Sequence, residues 1–195
     1  MILNKKIAVL IISLIIAFAA KAQNIKTVIT YTNSIADSRY IVYIPSQKLT
    51  IEDFTGKPDA GNDAVAITSS GFLFKAGYRN KAGKATLLIS VYCNFDKQLS
   101  WMKESGKNDY ILGHEQYHFD ISYISTLLFI KKLKQTNFTN SKYMQQLEAV
   151  YNDAIKNMEQ LQNHYDTETN NGLQKDKQEI WNKKIDKELT ILLNE

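Results

Sequence analysis

Hydrophobic and polar positions follow two different periods along the chain, and the first half has the pattern of β-strands. Up to residue 95, short runs rich in β-branched and aromatic residues are bounded by turn residues. The predicted strands are residues 27–32, 39–44, 64–68, 72–75 and 85–93. Residues 80–83 have the composition of a hairpin turn, and the Gly- and Pro-containing residues 47–63 predict a long surface loop. We therefore expect a small, mostly antiparallel sheet.

The second half of the chain has the 3.6-residue period of α-helices and predicts three of them. They begin near Asn108 or Ser105, near Ser141 and near Leu173, and the first two extend to Leu133 and toward His164. The first helix is apolar over much of its circumference and should be central. The third carries one apolar stripe of Ile180, Trp181, Ile185, Leu189 and Leu192. The predicted fold class is α+β, an N-terminal sheet followed by a three-helix C-terminal half.

The N-terminus has the composition of a signal peptide, residues 1–22. Two lysines precede an apolar run over residues 7–20, and Ala20-Lys21-Ala22 offers the small residues that a signal peptidase reads. A membrane anchor is the alternative, but the run is shorter than the roughly 20 residues that span a bilayer. We expect residues 23–195 to form a single exported domain, secreted or periplasmic, without stable membrane insertion.

Charge and cysteine content exclude two classes of protein. The formal net charge is +4 at pH 7, and Lys5, Lys6 and Lys21 would leave with the signal peptide while no acid does. The remaining chain is then nearly neutral, which gives no case for nucleic-acid binding. The single cysteine, Cys93, excludes a disulfide scaffold. Because it lies in an apolar predicted strand, we expect it to be buried and inert.

The first predicted helix contains the motif His-Glu-x-x-His at residues 114–118. Residues four apart project from the same side of a helix, so His114 and His118 have the spacing that two imidazoles need to share one zinc ion. In zinc hydrolases, the glutamate of this motif acts as general base toward the water at the open coordination position, a role that falls to Glu115. The alternative is an ordinary amphipathic helix whose histidines lie on the surface or in the core.

A catalytic zinc ion usually takes a third protein ligand. Asp120 is not a candidate, because six helical residues place it about 240° around the axis from His114. It fits better as a supporting or capping residue. Polar residues 166–172 predict a helix break, and its surroundings hold the densest cluster of donors and acids in this half of the chain. The candidates are Asp166 first, then His164 and Glu168. Tyr165 has the chemistry of an oxyanion donor, although a core position fits it better.

Several blocks of the sequence resemble one bacterial family in order and spacing. They are Leu49–Ala60, Ala66–Gly71, His114–Asp120, Tyr165–Thr169 and Gln178–Trp181. The family is the domain-of-unknown-function 922 family, described as secreted zinc-dependent proteases. The chain departs from the family pattern at Ile51, where tryptophan is expected, and at Asn171, where histidine is expected. If that histidine is the family's third ligand, the resemblance implies that Asp166 or His164 replaces it or that the site is weakened.

We therefore expect an exported zinc metallopeptidase in which Glu115 takes a proton from the attacking water. The substrate would be a peptide or protein, bound as an extended chain against a sheet edge. Asn171 motivates one alternative, a degenerate relative that binds metal, or only a partner, without turnover. A second is an envelope-interaction protein that docks through its lysine-rich last helix. Non-peptide hydrolysis is a third, because the motif does not select amides over esters.

Overall fold

The computed structural model describes residues 25–195, and the predicted signal peptide lies outside them. In chain order the strands are β1 (Lys26–Tyr31), β2 (Tyr40–Val42), β3 (Ala66–Ile67), β4 (Ser70–Lys81), β5 (Lys84–Asp96) and β6 (Trp101–Met102). The helices that follow are α1 (Asp109–Gln135), α2 (Tyr143–Thr169) and α3 (Lys175–Leu193). The predicted α+β class is confirmed. In the described part of the chain, no helix has the length and apolar character to cross a membrane.

The sheet is built around β5, the longest strand. Strand β4 pairs antiparallel with one edge of β5, while β1 and then β2 occupy the other edge. Strand β2 is antiparallel to β5, whereas β1 is parallel to it, with Lys26 opposite Thr86 and Tyr31 opposite Val91. The sheet is therefore mixed but mostly antiparallel, as predicted, since β1 is the one strand of the four that runs parallel to β5. Strands β3 and β6 form a separate two-stranded antiparallel sheet.

The predicted hairpin turn joins β4 to β5 at Ala82 and Gly83. Both residues have positive φ, 49° and 78°. Two central residues with positive φ give the turn a twist that matches the right-handed twist of its strands. The two strands therefore stay paired up to the turn, from Ser70 opposite Phe95 to Lys81 opposite Lys84. This continuous pairing makes both strands longer than their apolar patterns predict.

Helix α1 is central, as its apolar circumference predicts, because it packs against the sheet and against both other helices. The alternate residues of β5 from Ala85 to Phe95 are buried on the side that faces the helices. The Phe129 ring of α1 lies 5.2 Å from that of Phe72 in β4. On its other side, α1 contributes Ile121 and Ile124 to a second apolar cluster with residues of α2 and α3. Cys93 is fully buried in the core, as expected.

Two helix predictions need correction. Helix α2 continues past His164 to Thr169, and the break covers residues 170–174, of which 170–172 have positive φ. The last turn is helical because packing holds it: Tyr165 and Thr169 lie four apart and are both buried. The predicted stripe of α3 includes one residue too many, since Ile180 is 59% exposed while Trp181 is buried. Neighbouring helical residues lie about 100° apart, so only one of these two side chains can face the core.

Candidate metal centre

The motif histidines meet across one turn of α1. The side chain of Asn108 accepts a hydrogen bond from the Ile111 amide at 3.0 Å and caps the helix, as one of the two predicted caps. In α1, His114 and His118 project from the same side of the helix. Their rings lie edge to face, with centroids 4.8 Å apart. The two Nε2 atoms are 3.2 Å apart. Both histidines therefore present the same ring nitrogen to one point.

Asp166 of α2 completes this group. Its Oδ1 lies 2.9 Å from Nε2 of His118 and 3.3 Å from Nε2 of His114. A tetrahedral zinc ion with bonds of about 2.0–2.2 Å separates neighbouring ligand atoms by roughly 3.3–3.6 Å. The three atoms are thus close to the spacing of three corners of a zinc tetrahedron, and the structure brings Asp166 where a third ligand is required.

The other two candidate ligands lie outside this group. His164 is exposed on α2. Glu168 is exposed too, and its Oε2 accepts a hydrogen bond from Nε1 of Trp181 at 2.9 Å. Of the three candidates, only Asp166 points its carboxylate at the histidines, because residues 164 and 168 lie on other sides of the helix.

A glutamine of α2 determines which ring nitrogen of His118 carries the proton. Nε2 of Gln162 donates to the backbone carbonyl of His118 at 2.9 Å, and a carbonyl can only accept. The amide orientation is therefore fixed, and its Oε1 faces Nδ1 of His118 at 2.5 Å. Nδ1 must carry the proton there, which leaves Nε2 with a free lone pair when the ring is neutral.

A similar chain of hydrogen bonds fixes His114. The Tyr165 hydroxyl donates to the His114 carbonyl at 3.2 Å, so its oxygen accepts the hydrogen bond from Nε2 of Gln178. Oε1 of Gln178 then faces Nδ1 of His114 at 2.8 Å. This ring also carries its proton on Nδ1, and its Nε2 is the free ligand atom. Holding the tautomer through the distal nitrogen is how proteins orient metal-binding imidazoles.

The donor set fits a metal ion on this geometry. When both rings are neutral, two nitrogen lone pairs and one carboxylate oxygen converge at 2.9–3.3 Å, and none of the three atoms then has a proton to share with the others. Such an arrangement of acceptors is repulsive unless a cation lies between them. Two imidazoles and a carboxylate are ligands that zinc accepts.

The ionisation of the group also suits a cation. Burial lowers the pKa of His118, but the hydrogen bond to Asp166 and the charge of Glu115 outweigh burial, so its pKa lies above the ordinary value. Burial alone would raise the pKa of Asp166, yet the two imidazoles hold it well below its usual range. Asp166 is therefore an anion at physiological pH, as a ligand must be.

Glu115 lies beside the histidines with an unused oxygen. The side chain is only 4% exposed, and its Oε2 is a buried atom without a hydrogen-bond partner in the described residues. A buried, unpaired carboxylate oxygen lowers the stability of the fold, and such atoms in native proteins often have a functional role. Glu115 lines the same cleft as His114, His118 and Asp166, a space of about 540 Å³ between β3, α1 and α2.

Asp120 faces away from the cleft, as its position on the helix predicts, and it supports the packing of α1 against the segment after β2. It is buried, and its Oδ1 accepts hydrogen bonds from the Tyr43 hydroxyl and from Nε2 of Gln116, both at 2.7 Å. Gln116 in turn accepts a hydrogen bond from the Leu49 amide at 2.8 Å. Asp120 thus anchors the segment after β2 to α1 and makes no hydrogen bond to either histidine.

Tyr165 is a core aromatic residue. It is fully buried, and its ring stacks on that of His114 with centroids 4.7 Å apart. Its hydroxyl is engaged by the His114 carbonyl and by Gln178, so no donor remains for an oxyanion. The core position that the sequence favoured for Tyr165 is confirmed.

The turn after α2 borders the cleft and contacts His114. Asn171, where the resemblance leads us to expect histidine, lines the cleft and has a φ of 52°. Gly172 follows at φ 80°, and a Cβ atom there would lie 3.1 Å from Nδ1 of His114. The turn therefore needs glycine at residue 172 for two reasons, its backbone conformation and its contact with the histidine.

Sequence reasoning missed the two glutamines that orient the histidines. Spacing offers one signal for Gln162, which lies four residues before Asp166 and hence on the same side of α2. The one signal for Gln178 is that it begins the block Gln178–Trp181, which carries part of the family resemblance. It reaches His114 only because α3 folds back against α1. No protein-family model, curated protein or solved structure matches this chain, so its membership of the domain-of-unknown-function 922 family stays a prediction from the motif blocks.

Proposed function

We propose that this protein is an exported zinc-dependent metallopeptidase. The observation that carries the proposal is the convergence of three possible ligand atoms, from His114, His118 and Asp166, in a cleft that is also lined by Glu115, whose Oε2 is buried and unpaired among the described residues. A structural histidine pair would need neither the third acceptor nor the unpaired carboxylate. The site is complete without residue 171, so the departure at Asn171 does not remove a ligand from the proposed set.

The chain's own residues would divide the work between binding and proton transfer. His114 and His118 would hold zinc through Nε2, and Asp166 through Oδ1. Zinc, when bound, acts as a Lewis acid toward a carbonyl oxygen and makes water more acidic. Glu115 Oε2 would take the proton of the attacking water and pass it to the leaving amine. Gln162 and Gln178 would keep both imidazoles in the tautomer that leaves Nε2 free.

The edge of β3 that lines the cleft supports a peptide as the substrate. The Val65 carbonyl accepts a hydrogen bond from the Lys103 amide at 2.8 Å, and the next pair is Ala66 opposite Met102. Backbone groups of successive strand residues point to opposite edges, so those of Ala66 point away from β6. Ala66 lines the cleft, where an extended peptide would add as a further strand beside the metal ligands.

Substitution of the proposed base tests this function. Glu115→Gln keeps the shape of the side chain and every metal ligand, and should lower the hydrolysis of an unfolded protein such as casein by roughly 10²- to 10⁴-fold. The zinc content should not change. Activity of the wild type should disappear with a chelator and return with zinc. Equal activity of the two proteins at equal zinc content would refute the assignment of Glu115.

A further inference from the structure

The face of the sheet turned away from the helices is a second surface with a distinct chemistry. Side chains of β4 alternate: Phe72, Phe74 and Tyr78 contact aromatic rings of α1 and α2. Their neighbours Leu73, Lys75 and Arg79 therefore project from the opposite face. We call this the outer face, formed by every second residue of β1, of β4 and of residues 84–92 of β5.

The register places the residues of the outer face in rows across three strands. Thr86 lies between Lys26 and Arg79, Leu88 between Val28 and Gly77, and Ser90 between Thr30 and Lys75. A hydrogen bond of 3.2 Å between the Thr30 and Ser90 hydroxyls confirms that β1 and β5 share this face. The outer face is thus continuous across three strands.

Its charges all have one sign. Five exposed cations lie on the outer face or at its hairpin end: Lys26, Lys75, Arg79, Lys81 and Lys84. No aspartate or glutamate occurs in β1, in β4 or in residues 84–92. Among residues 25–195, none of the five cations makes an ion pair. For a chain with a formal net charge of only +4, this is a strong segregation of positive charge.

Apolar side chains lie uncovered among these cations. Val28 is 37% exposed and Leu73 is 46% exposed. Leu88 has Val28 on one side, and on the other it has Gly77, which carries no side chain to cover it. The row of Val28, Leu88 and Gly77 lies between a row that holds two cations and a row that holds one. Apolar residues flanked by cations suit an interface of charged headgroups and acyl chains.

We propose that the outer face docks this protein on an anionic phospholipid surface without inserting a membrane-spanning segment. The cations would contact the headgroups, and Val28, Leu73 and Leu88 would contact the outermost part of the acyl chains. A soluble polyanion would use the cations but would gain little from the apolar row. The proposal is independent of the proposed peptidase activity, because the outer face and the cleft lie on opposite sides of the sheet.

Vesicle sedimentation tests the proposal with the whole protein. Binding should be strong to an equimolar mixture of phosphatidylcholine and phosphatidylglycerol, weak to phosphatidylcholine alone, and should fall as salt is added. The double variant Lys75→Gln, Arg79→Gln should bind the anionic vesicles roughly 30-fold less tightly, since each cation near such a surface contributes about 1 kcal/mol. Mass spectrometry should confirm that every variant has the same N-terminus, so that a difference in the predicted signal peptide does not change vesicle binding.

Matched variants separate this surface from general charge effects. Lys177→Gln, Lys187→Gln removes the same charge from exposed positions of α3 and should bind like the wild type. Leu73→Ser should weaken vesicle binding by roughly 3- to 10-fold without a change of charge. If the first double variant fails to fold, as judged by circular dichroism, the double variant Lys26→Gln, Lys84→Gln replaces it and should show the same loss of vesicle binding.

Three results would overturn the proposal. The first is absence of binding to the anionic vesicles at low salt. The second is equal loss of binding in the outer-face and α3 double variants. The third is binding to single-stranded DNA that depends on Lys75 and Arg79 while vesicle binding does not, which would identify a polyanion as the partner. Casein hydrolysis should stay unchanged in the outer-face variants, so failure of this proposal is distinct from failure of the peptidase proposal.

Discussion

At the residue scale, the hydrogen-bond partners of the histidines decide what the cleft can bind. Both Nδ1 atoms face amide oxygens, from Gln178 and Gln162, rather than carboxylates. An amide oxygen fixes the tautomer without adding negative charge to the site. The two acidic residues that line the cleft with the histidines are Asp166, proposed as ligand, and Glu115, proposed as base.

Removal of one glutamine should weaken metal binding without touching a ligand. Gln162→Leu frees the His118 ring to rotate or change tautomer, and zinc affinity should fall about 10- to 100-fold. Gln162→Glu, which keeps an acceptor oxygen at Nδ1, should recover much of the loss. Competition with a fluorescent chelator measures both. Gln160→Leu, at an exposed position of the same helix, is the control; an equal loss in this control would contradict the assigned role.

The sequence reveals the proposed metal ligands better than it reveals the residues that orient them. His114, Glu115 and His118 follow from the spacing of one motif, because that spacing has a direct meaning on a helix. Asp166 follows from ligand chemistry and its place near a predicted turn. Gln162 and Gln178 act through contacts that are formed only after α2 and α3 pack against α1. Their spacing and motif block can draw attention to them, but no local pattern assigns them these roles.

At the element scale, the turn between α2 and α3 positions the site. Three consecutive residues, 170–172, adopt positive φ and reverse the chain so that α3 returns to α1. The sequence predicts this turn from Asn171-Gly172 but places the end of α2 too early. Threonine and aspartate are weak helix formers, and burial of Tyr165 and Thr169 overrides that weakness. The direction of β1 is likewise set by pairing over a long range, which strand patterns do not encode.

A pair of glycine substitutions tests the role of this turn. Gly172→Ala and Gly83→Ala both force alanine to positive φ, 80° and 78°, and each should lower the free energy of unfolding by about 1–2 kcal/mol. Only residue 172 faces a histidine, with a Cβ atom 3.1 Å from Nδ1 of His114, whereas a Cβ atom at residue 83 has nothing within 4 Å. Zinc affinity should therefore fall in Gly172→Ala alone, measured by the same chelator competition. Equal zinc affinities would contradict the contact.

At the scale of the whole molecule, ionic contacts make stability depend on pH. The Arg39 guanidinium bonds both carboxylate oxygens of Asp96, at 2.6–3.0 Å, and joins the segment before β2 to the end of β5. The hydrogen bond to Arg39 holds the pKa of Asp96 below its usual value, although burial acts against it. A depressed folded-state pKa stabilises the fold above the unfolded pKa of about 3.9, and this contribution is lost as pH falls through the folded value.

Arg39→Gln tests whether the contact with Asp96 makes the stability of the fold depend on pH. The variant should be less stable than the wild type near neutral pH, and the difference should shrink as pH falls below about 4, where Asp96 becomes protonated. Urea unfolding at a series of pH values measures it. Lys131→Gln, which removes an exposed pair with Glu195, should have little effect at any pH. A difference for Arg39→Gln that is constant with pH would show that its effect is not carried by Asp96.

The central claim, a zinc ion held between α1 and α2, is tested most directly by the zinc content of the purified protein. Elemental analysis should give one equivalent of zinc in the wild type and none in His118→Ala or Asp166→Ala, with each variant shown to be folded by circular dichroism. Glu168→Ala, two residues from Asp166 on α2, should keep its zinc. A folded wild-type protein that takes up no zinc even after reconstitution, or an Asp166→Ala protein that keeps it with unchanged affinity, would contradict the account.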